Sequence, residues 1–175
     1  MNSHFLFKGK KLKLSTIGGL LLILLISLTF PIQEERLTGK IVGVSDGDTV
    51  TLLTKNRQNI KIRLAQIDAP ESNQPFGAAS KKMLSDMIYK AKVTVRKEGV
   101  DRYGRTIGTI FLAETDINAE MVRQGGAWVY DQYVTDSTLY ELQKEAQDFE
   151  RGLWALPKSD HIPPWQWRGG RRVAK

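Results

Sequence analysis

The chain has 175 residues, 41% of them apolar and 26% charged, which suits one soluble globular domain and a short targeting segment. It has no cysteine, so disulfides, thiolate zinc sites and cysteine nucleophiles are excluded. The formal charge of +7 lies at the two ends: Lys8, Lys10, Lys11 and Lys13 at one, Arg168, Arg171, Arg172 and Lys175 at the other, leaving 18 of the 26 basic residues in the body against all 19 acidic ones. The overall basicity is therefore weak evidence for a polyanion partner.

Leu14 to Gln33 carries no charge, and Ile17 to Phe30 is mainly leucine and isoleucine. A basic start followed by an apolar run is the pattern of a secretory signal, and about 20 mostly apolar residues also suffice for a spanning helix. Ser27-Leu28-Thr29 is a poor cleavage site, which tips the balance towards an uncleaved hydrophobic helix over residues 1–33. Either way the lysines stay cytoplasmic and the rest crosses the membrane. The expected location is secreted or membrane-anchored, with the functional domain outside the cytoplasm and the membrane a partner if the segment is uncleaved.

The body then reads as strands. Thr38 to Val44 is small and β-branched, and Thr49 to Thr54 follows Asp46-Gly47, a pair that suits a tight turn because both residues tolerate positive φ. Lys55 to Gln58 is a polar hairpin loop. Asn59 to Ala65 alternates, with Ile60, Ile62 and Leu64 on one face and Lys61, Arg63 and Ala65 on the other. Phe76 to Tyr89 places Phe76, Ala79, Met83 and Met87 at helical spacing. Two more strands are expected at Lys92 to Lys97 and Thr106 to Ala113, separated by a loop from Glu98 to Arg105. A short helix over Asn118 to Gln124 stops at Gly125-Gly126. A last helix from Thr138 to Arg151 has a capping box of Thr138 with Glu141 and an apolar stripe of Leu139, Leu142, Ala146 and Phe149. The order predicts an α+β, mainly β domain over 34–156: a five-stranded OB-type barrel with about three helices. Residues 157–175, rich in tryptophan and arginine, are expected to be an extended tail.

Three polar segments carry chemistry: Asp46-Gly47-Asp48-Thr49, Arg63 through Ile67-Asp68-Ala69-Pro70-Glu71, and Asp101-Arg102-Tyr103-Gly104-Arg105. Each alone is an ordinary turn or strand end. Together they match the needs of phosphodiester hydrolysis: positive charge on the non-bridging oxygens, an oriented water and a hard cation. Asp48 and Asp68 offer oxygen ligands suited to calcium. Arg63 and Arg105 offer two planar, permanently charged clamps, and Glu71 is the candidate to orient or deprotonate water. The two histidines, His4 and His161, lie in the targeting segment and the tail, which disfavours a histidine mechanism or a transition-metal site. His161 reads as an exposed linker residue.

At these residues the sequence resembles the thermonuclease, or staphylococcal nuclease-like, family. The blocks are Asp46-Gly47-Asp48-Thr49-Val50, Ile62-Arg63-Leu64 with Ile67-Asp68-Ala69-Pro70-Glu71, Asp101-Arg102-Tyr103-Gly104-Arg105 and Val122-Arg123-Gln124-Gly125, in order between Leu37 and Trp154. The resemblance implies an OB-fold with helices and a calcium-dependent endonuclease acting on DNA and RNA, leaving 3′-phosphates. It puts Arg63, Glu71 and Arg105 on catalytic positions and Asp48, Asp68 and the carbonyl of Ala69 on calcium (Ca2+) ligand positions. It places Tyr103 and Tyr130 near the substrate. The stretch from Ser72 to Pro75 is shorter than the lysine-rich loop of the family's best-known member, which bears on substrate affinity and on how firmly Glu71 is held. A monomer is expected.

Two other readings remain. One is a non-catalytic OB-fold module binding single-stranded nucleic acid; all five charged site residues persist, which argues for the enzyme. The other is a membrane-surface protein with basic ends on anionic lipid. The tail tryptophans are expected either to cover an apolar patch or to stack on bases.

Overall fold

The structure, a computed structural model, describes residues 34–173, with side chains described to residue 170. The hydrophobic segment expected over residues 1–33 lies outside the described residues. Among those described, no helix is long and apolar enough to cross a membrane.

Among the described residues eight strands form: β1 (Arg36–Val44), β2 (Thr49–Thr54), β3 (Asn59–Leu64), β4 (Ile67–Asp68), β5 (Lys92–Val100), β6 (Thr106–Leu112), β7 (Thr115–Asp116) and β8 (Trp128–Val129). The order β3-β2-β1-β5-β6 is antiparallel throughout, and a parallel β3–β6 pairing closes it into the expected five-stranded barrel, with β7 outside on β6. Closure demands curvature. Register shifts in β1 between Ile41 and Gly43 and in β5 between Lys97 and Gly99 supply it, since an extra residue in one strand bends it. The inward residues Ile41, Val50, Leu52, Ile62, Leu64, Val95 and Ile110 are fully buried. Full burial of each such side chain stabilises by about 1.5–3 kcal/mol.

Four helices of the described residues pack around the barrel: α1 (Gly77–Ile88), α2 (Ile117–Arg123), α3 (Thr138–Asp148) and α4 (Pro164–Val173). Leu84 and Ile88 of α1 and Met121 and Val122 of α2 join the barrel core. Buried Asn118 seals the parallel seam: its amide nitrogen donates to Ala65 O (3.0 Å) and Gly108 O (3.3 Å), and its oxygen accepts from Ile110 N (3.1 Å). Backbone groups that a barrel corner would orphan are thereby satisfied.

Several expectations change. β5 runs to Val100 rather than Lys97, because Gly99 and Val100 still pair with Ile107 and Thr106; the loop shrinks accordingly. The third helix stops at Asp148, where Glu150 and Gly152 turn to positive φ, and Phe149 is exposed rather than part of a buried stripe. The capping box does not form. Asp136 instead accepts from the Thr138 amide (2.9 Å) and hydroxyl (2.7 Å). Gly47 is not needed for a positive φ, which it does not adopt. It is needed for space, since a Cβ there would fall 2.7 Å from Ala69 Cβ and closer still to Ser80 Oγ. His161 is partly buried, with Nε2 2.9 Å from Leu156 O and its ring edge-on to Trp154. Residues 164–173 are not extended: they form α4, preceded by the 3-10 turns Gly152–Ala155 and Lys158–Asp160.

Candidate active site

Strand register brings the polar segments together. Thr49 opens β2 and pairs with Arg63 near the end of β3, so Asp48 sits beside the Arg63 side chain. The chain turns at Gln66, enters β4, and is pinned there by pairing of Ile67 with Val129 and Asp68 with Trp128. Both aspartates are buried at this junction.

One guanidinium joins them. Arg63 Nη1 is in close contact with Asp48 Oδ1, and its Nη2 donates to Asp68 Oδ1 at 2.6 Å. Asp48 Oδ2 accepts from the Ala69 amide (2.8 Å), and Oδ1 accepts from Thr49 Oγ1 (3.0 Å). Thr49 Oγ1 in turn faces Arg105 Nη1 at 3.5 Å. The two arginines are therefore linked through Asp48 and Thr49 rather than scattered. The loop that delivers Arg105 is organised by Asp101, which accepts from the amides of Tyr103 and Arg105 (each 2.9 Å) and from Arg105 Nε (2.6 Å). Burial would raise the Asp101 pKa, but these bonds outweigh it and hold the carboxyl below its ordinary range.

Glu71 follows β4 in a turn clamped by Gln74, which is buried. Its Oε1 accepts from the Glu71 amide (3.1 Å), while the Gln74 amide donates back to Glu71 O (2.9 Å). The short Ser72–Pro75 stretch thus holds Glu71 through a side chain. The Glu71 carboxylate and both oxygens of Asp68 meet Arg168 of α4. Tyr130 stacks on Trp165 of the same helix, with centroids 5.3 Å apart and planes 8° apart. Tyr103 is exposed, with the Arg102 and Arg105 guanidiniums over its ring at 4.9 and 5.6 Å.

Asp48, Asp68, Glu71, Arg63 and Arg105 are thus brought together, with Ala69 contributing an amide to Asp48. Tyr103 flanks Arg105, and α4 connects Tyr130 to the carboxylates. The donor chemistry fits a hard cation: two buried carboxylates close enough to share one guanidinium, with oxygen the only ligand type. Among the described residues no three His, Cys, Asp or Glu side chains form a metal cage, so such an ion would draw its remaining ligands from carbonyl and water.

The family model for staphylococcal nuclease homologues matches residues 61–156, which span β3 to the turn after α3 and include Arg63, Asp68, Glu71 and Arg105. The chain belongs to the staphylococcal nuclease family. An uncharacterised endonuclease of Haemophilus influenzae is 43% identical over 152 residues, covering 87% of this chain and 84% of that protein. A micrococcal nuclease of Shigella flexneri is 43% identical over 147 residues, covering 78% and 83%. An uncharacterised endonuclease of Escherichia coli O157:H7 is 40% identical over 147 residues, covering 83% and 94%. Within this nuclease-family frame, sequence reasoning missed Gln74 and Arg168 and gave Thr49 and Trp165 no role at the site, although Thr49 lay in a recognised block and the tail tryptophans were expected to cover an apolar patch or stack on bases. Trp165 and Arg168 carried a signal: Pro163-Pro164 suits a helix start, and residues three apart share a face.

Proposed function

We propose that this chain is a calcium-dependent nuclease that hydrolyses phosphodiester bonds of DNA or RNA as an endonuclease and leaves 3′-phosphates. The observation that carries the reading is the linked array Arg63–Asp48–Thr49–Arg105, with Asp68 and Glu71 beside it. Such an array brings two guanidiniums, two buried acids and a partly exposed glutamate to one end of the barrel.

Asp48, Asp68 and the Ala69 carbonyl would hold the ion. When bound, it supplies positive charge to the phosphate and to a water. Arg63 and Arg105 bind the non-bridging oxygens and stabilise the charge that builds on them in the transition state. Glu71 accepts a proton as the water oxygen bonds to phosphorus. The bond to the 5′ oxygen breaks, and that oxygen leaves with a proton from solvent. Tyr103 and Tyr130 flank the chain of nucleotides. The similarity to proteins named endonuclease and micrococcal nuclease supports this chemistry.

The test is release of nucleotides from single-stranded DNA and from RNA by the full chain, with calcium or with a chelator. Cleavage only with calcium is expected. Tight strand binding without cleavage in either condition would favour the non-catalytic binding module instead. Asp48→Asn should weaken calcium at least about tenfold by calorimetry, since even outer-sphere changes at metal sites cost ~10–100-fold; an unchanged affinity removes Asp48 from the ligand set. The proposal includes action outside the cytoplasm, motivated by the lysines and apolar run of residues 1–33. Cell fractionation should recover the domain from the medium, the periplasm or the membrane, and recovery from the cytosol alone contradicts that placement.

A further inference from the structure

Arg168 reaches the site from the last helix rather than from the barrel. Its Nη2 donates to Asp68 Oδ2 at 2.6 Å, and its Nη1 donates to Asp68 Oδ1 at 3.2 Å and to Glu71 Oε1 at 2.7 Å. The same segment is fastened at three further points. Trp165 stacks on Tyr130 and stands edge-on to Trp128, with centroids 6.1 Å apart. Trp167 Nε1 lies 3.4 Å from Asn73 Oδ1. Ile162 O accepts from Gln74 Nε2 at 2.5 Å, the residue that clamps Glu71.

This placement conflicts with a working centre. A guanidinium bound to both Asp68 oxygens and to Glu71 takes an ion ligand and the water-activating group at once. Arg63 already neutralises Asp48 and Asp68 from the barrel side, so a divalent cation on Asp68 would face a second guanidinium in Arg168, and like charges a few ångströms apart repel. The contact cannot be relaxed by deprotonation. An arginine guanidinium keeps its charge at every pH at which the fold persists. The helix has little stability of its own, with ten residues of which two are the adjacent glycines Gly169 and Gly170, so its order depends on these contacts.

We propose that α4 is an autoinhibitory strap, in which Arg168 occupies the carboxylates and Trp165 covers Tyr130, and that a divalent cation binds only as the strap withdraws. The proposal rests on the calcium reading of the site. With the strap docked in most molecules, the apparent dissociation constant for calcium is the intrinsic one divided by the open fraction.

The test uses the full chain and calcium alone, without substrate. Calorimetry compares the natural chain with Arg168→Ala, which removes the competing charge, and with Trp165→Ala, which loosens the helix while leaving every carboxylate in place. Both variants should bind calcium about tenfold more tightly if the open fraction is about one in ten. In the natural chain, calcium should accelerate tryptic cleavage after Arg168, read by mass spectrometry. If all three proteins bind calcium with equal affinity, or the variants bind it more weakly, the strap is overturned while the calcium reading stands. Calcium that protects Arg168 from trypsin also overturns it. If none of the three binds calcium, the strap and the calcium reading fall together.

Discussion

Arg105→Ala is expected to lower kcat by about a hundred- to a thousandfold, the usual effect of removing one donor from a developing oxyanion. The fold should tolerate the change. Arg105 is about a third exposed, and its ion pair with Asp101 is a local one, four residues apart. Pairs of that kind contribute little to stability. Asp101 keeps its bond from the Tyr103 amide, and the Arg105 amide donates whatever the side chain. A steady-state assay on single-stranded DNA, read beside a thermal melt and a strand-binding titration, separates the effects. Loss of turnover with the melt and binding nearly intact is expected. Turnover within a few-fold of the natural chain would remove Arg105 from the catalytic set.

Arg63→Ala should differ in kind, costing both activity and stability. Arg63 is largely buried and neutralises two acids that are themselves buried. Removing one partner of a buried pair leaves uncompensated charge, and the cost is about 3–5 kcal/mol in the general case. Asp48 retains its bonds from Ala69 and Thr49, and Asp68 retains Arg168, so the lower end of that range applies. Urea unfolding in chelator should show the loss. Calcium should restore part of it, because a cation bound only by the folded chain stabilises that state. Equal stability of variant and natural chain in chelator would mean that the aspartates do not depend on Arg63.

The contrast between the two arginines follows from where the backbone puts them, and much of that was legible in the sequence. Alternation in Asn59 to Ala65 set the face from which Arg63 projects, and the barrel order followed from five such runs with a helix between the third and fourth. The polar blocks were recognisable because carboxylates and arginines at strand ends have few structural uses in combination. What was not legible was set by tertiary contact. Gln74 reads as one more polar residue in a short turn, and only the fold shows it buried beneath Glu71. Gly47 reads as a turn glycine, whereas its requirement comes from Ser80 of α1, distant in sequence. Thr138 with Glu141 satisfied a capping pattern, yet Asp136 reached the same amide first. The tail misled for a compositional reason. Glycines and prolines lower local helix propensity, but Trp165 and Arg168 gain enough from Tyr130, Asp68 and Glu71 to order α4 against it.

Convergence of Arg63, Arg105, Glu71 and an Asp48–Asp68 cation on a single phosphate is tested most directly by a crystal structure of the chain with calcium and a phosphorothioate dinucleotide. The expected result is one phosphate whose non-bridging atoms contact both guanidiniums, with calcium held by the two aspartates and a water between it and Glu71. A phosphate bound on another face, or calcium held away from both aspartates, would contradict it.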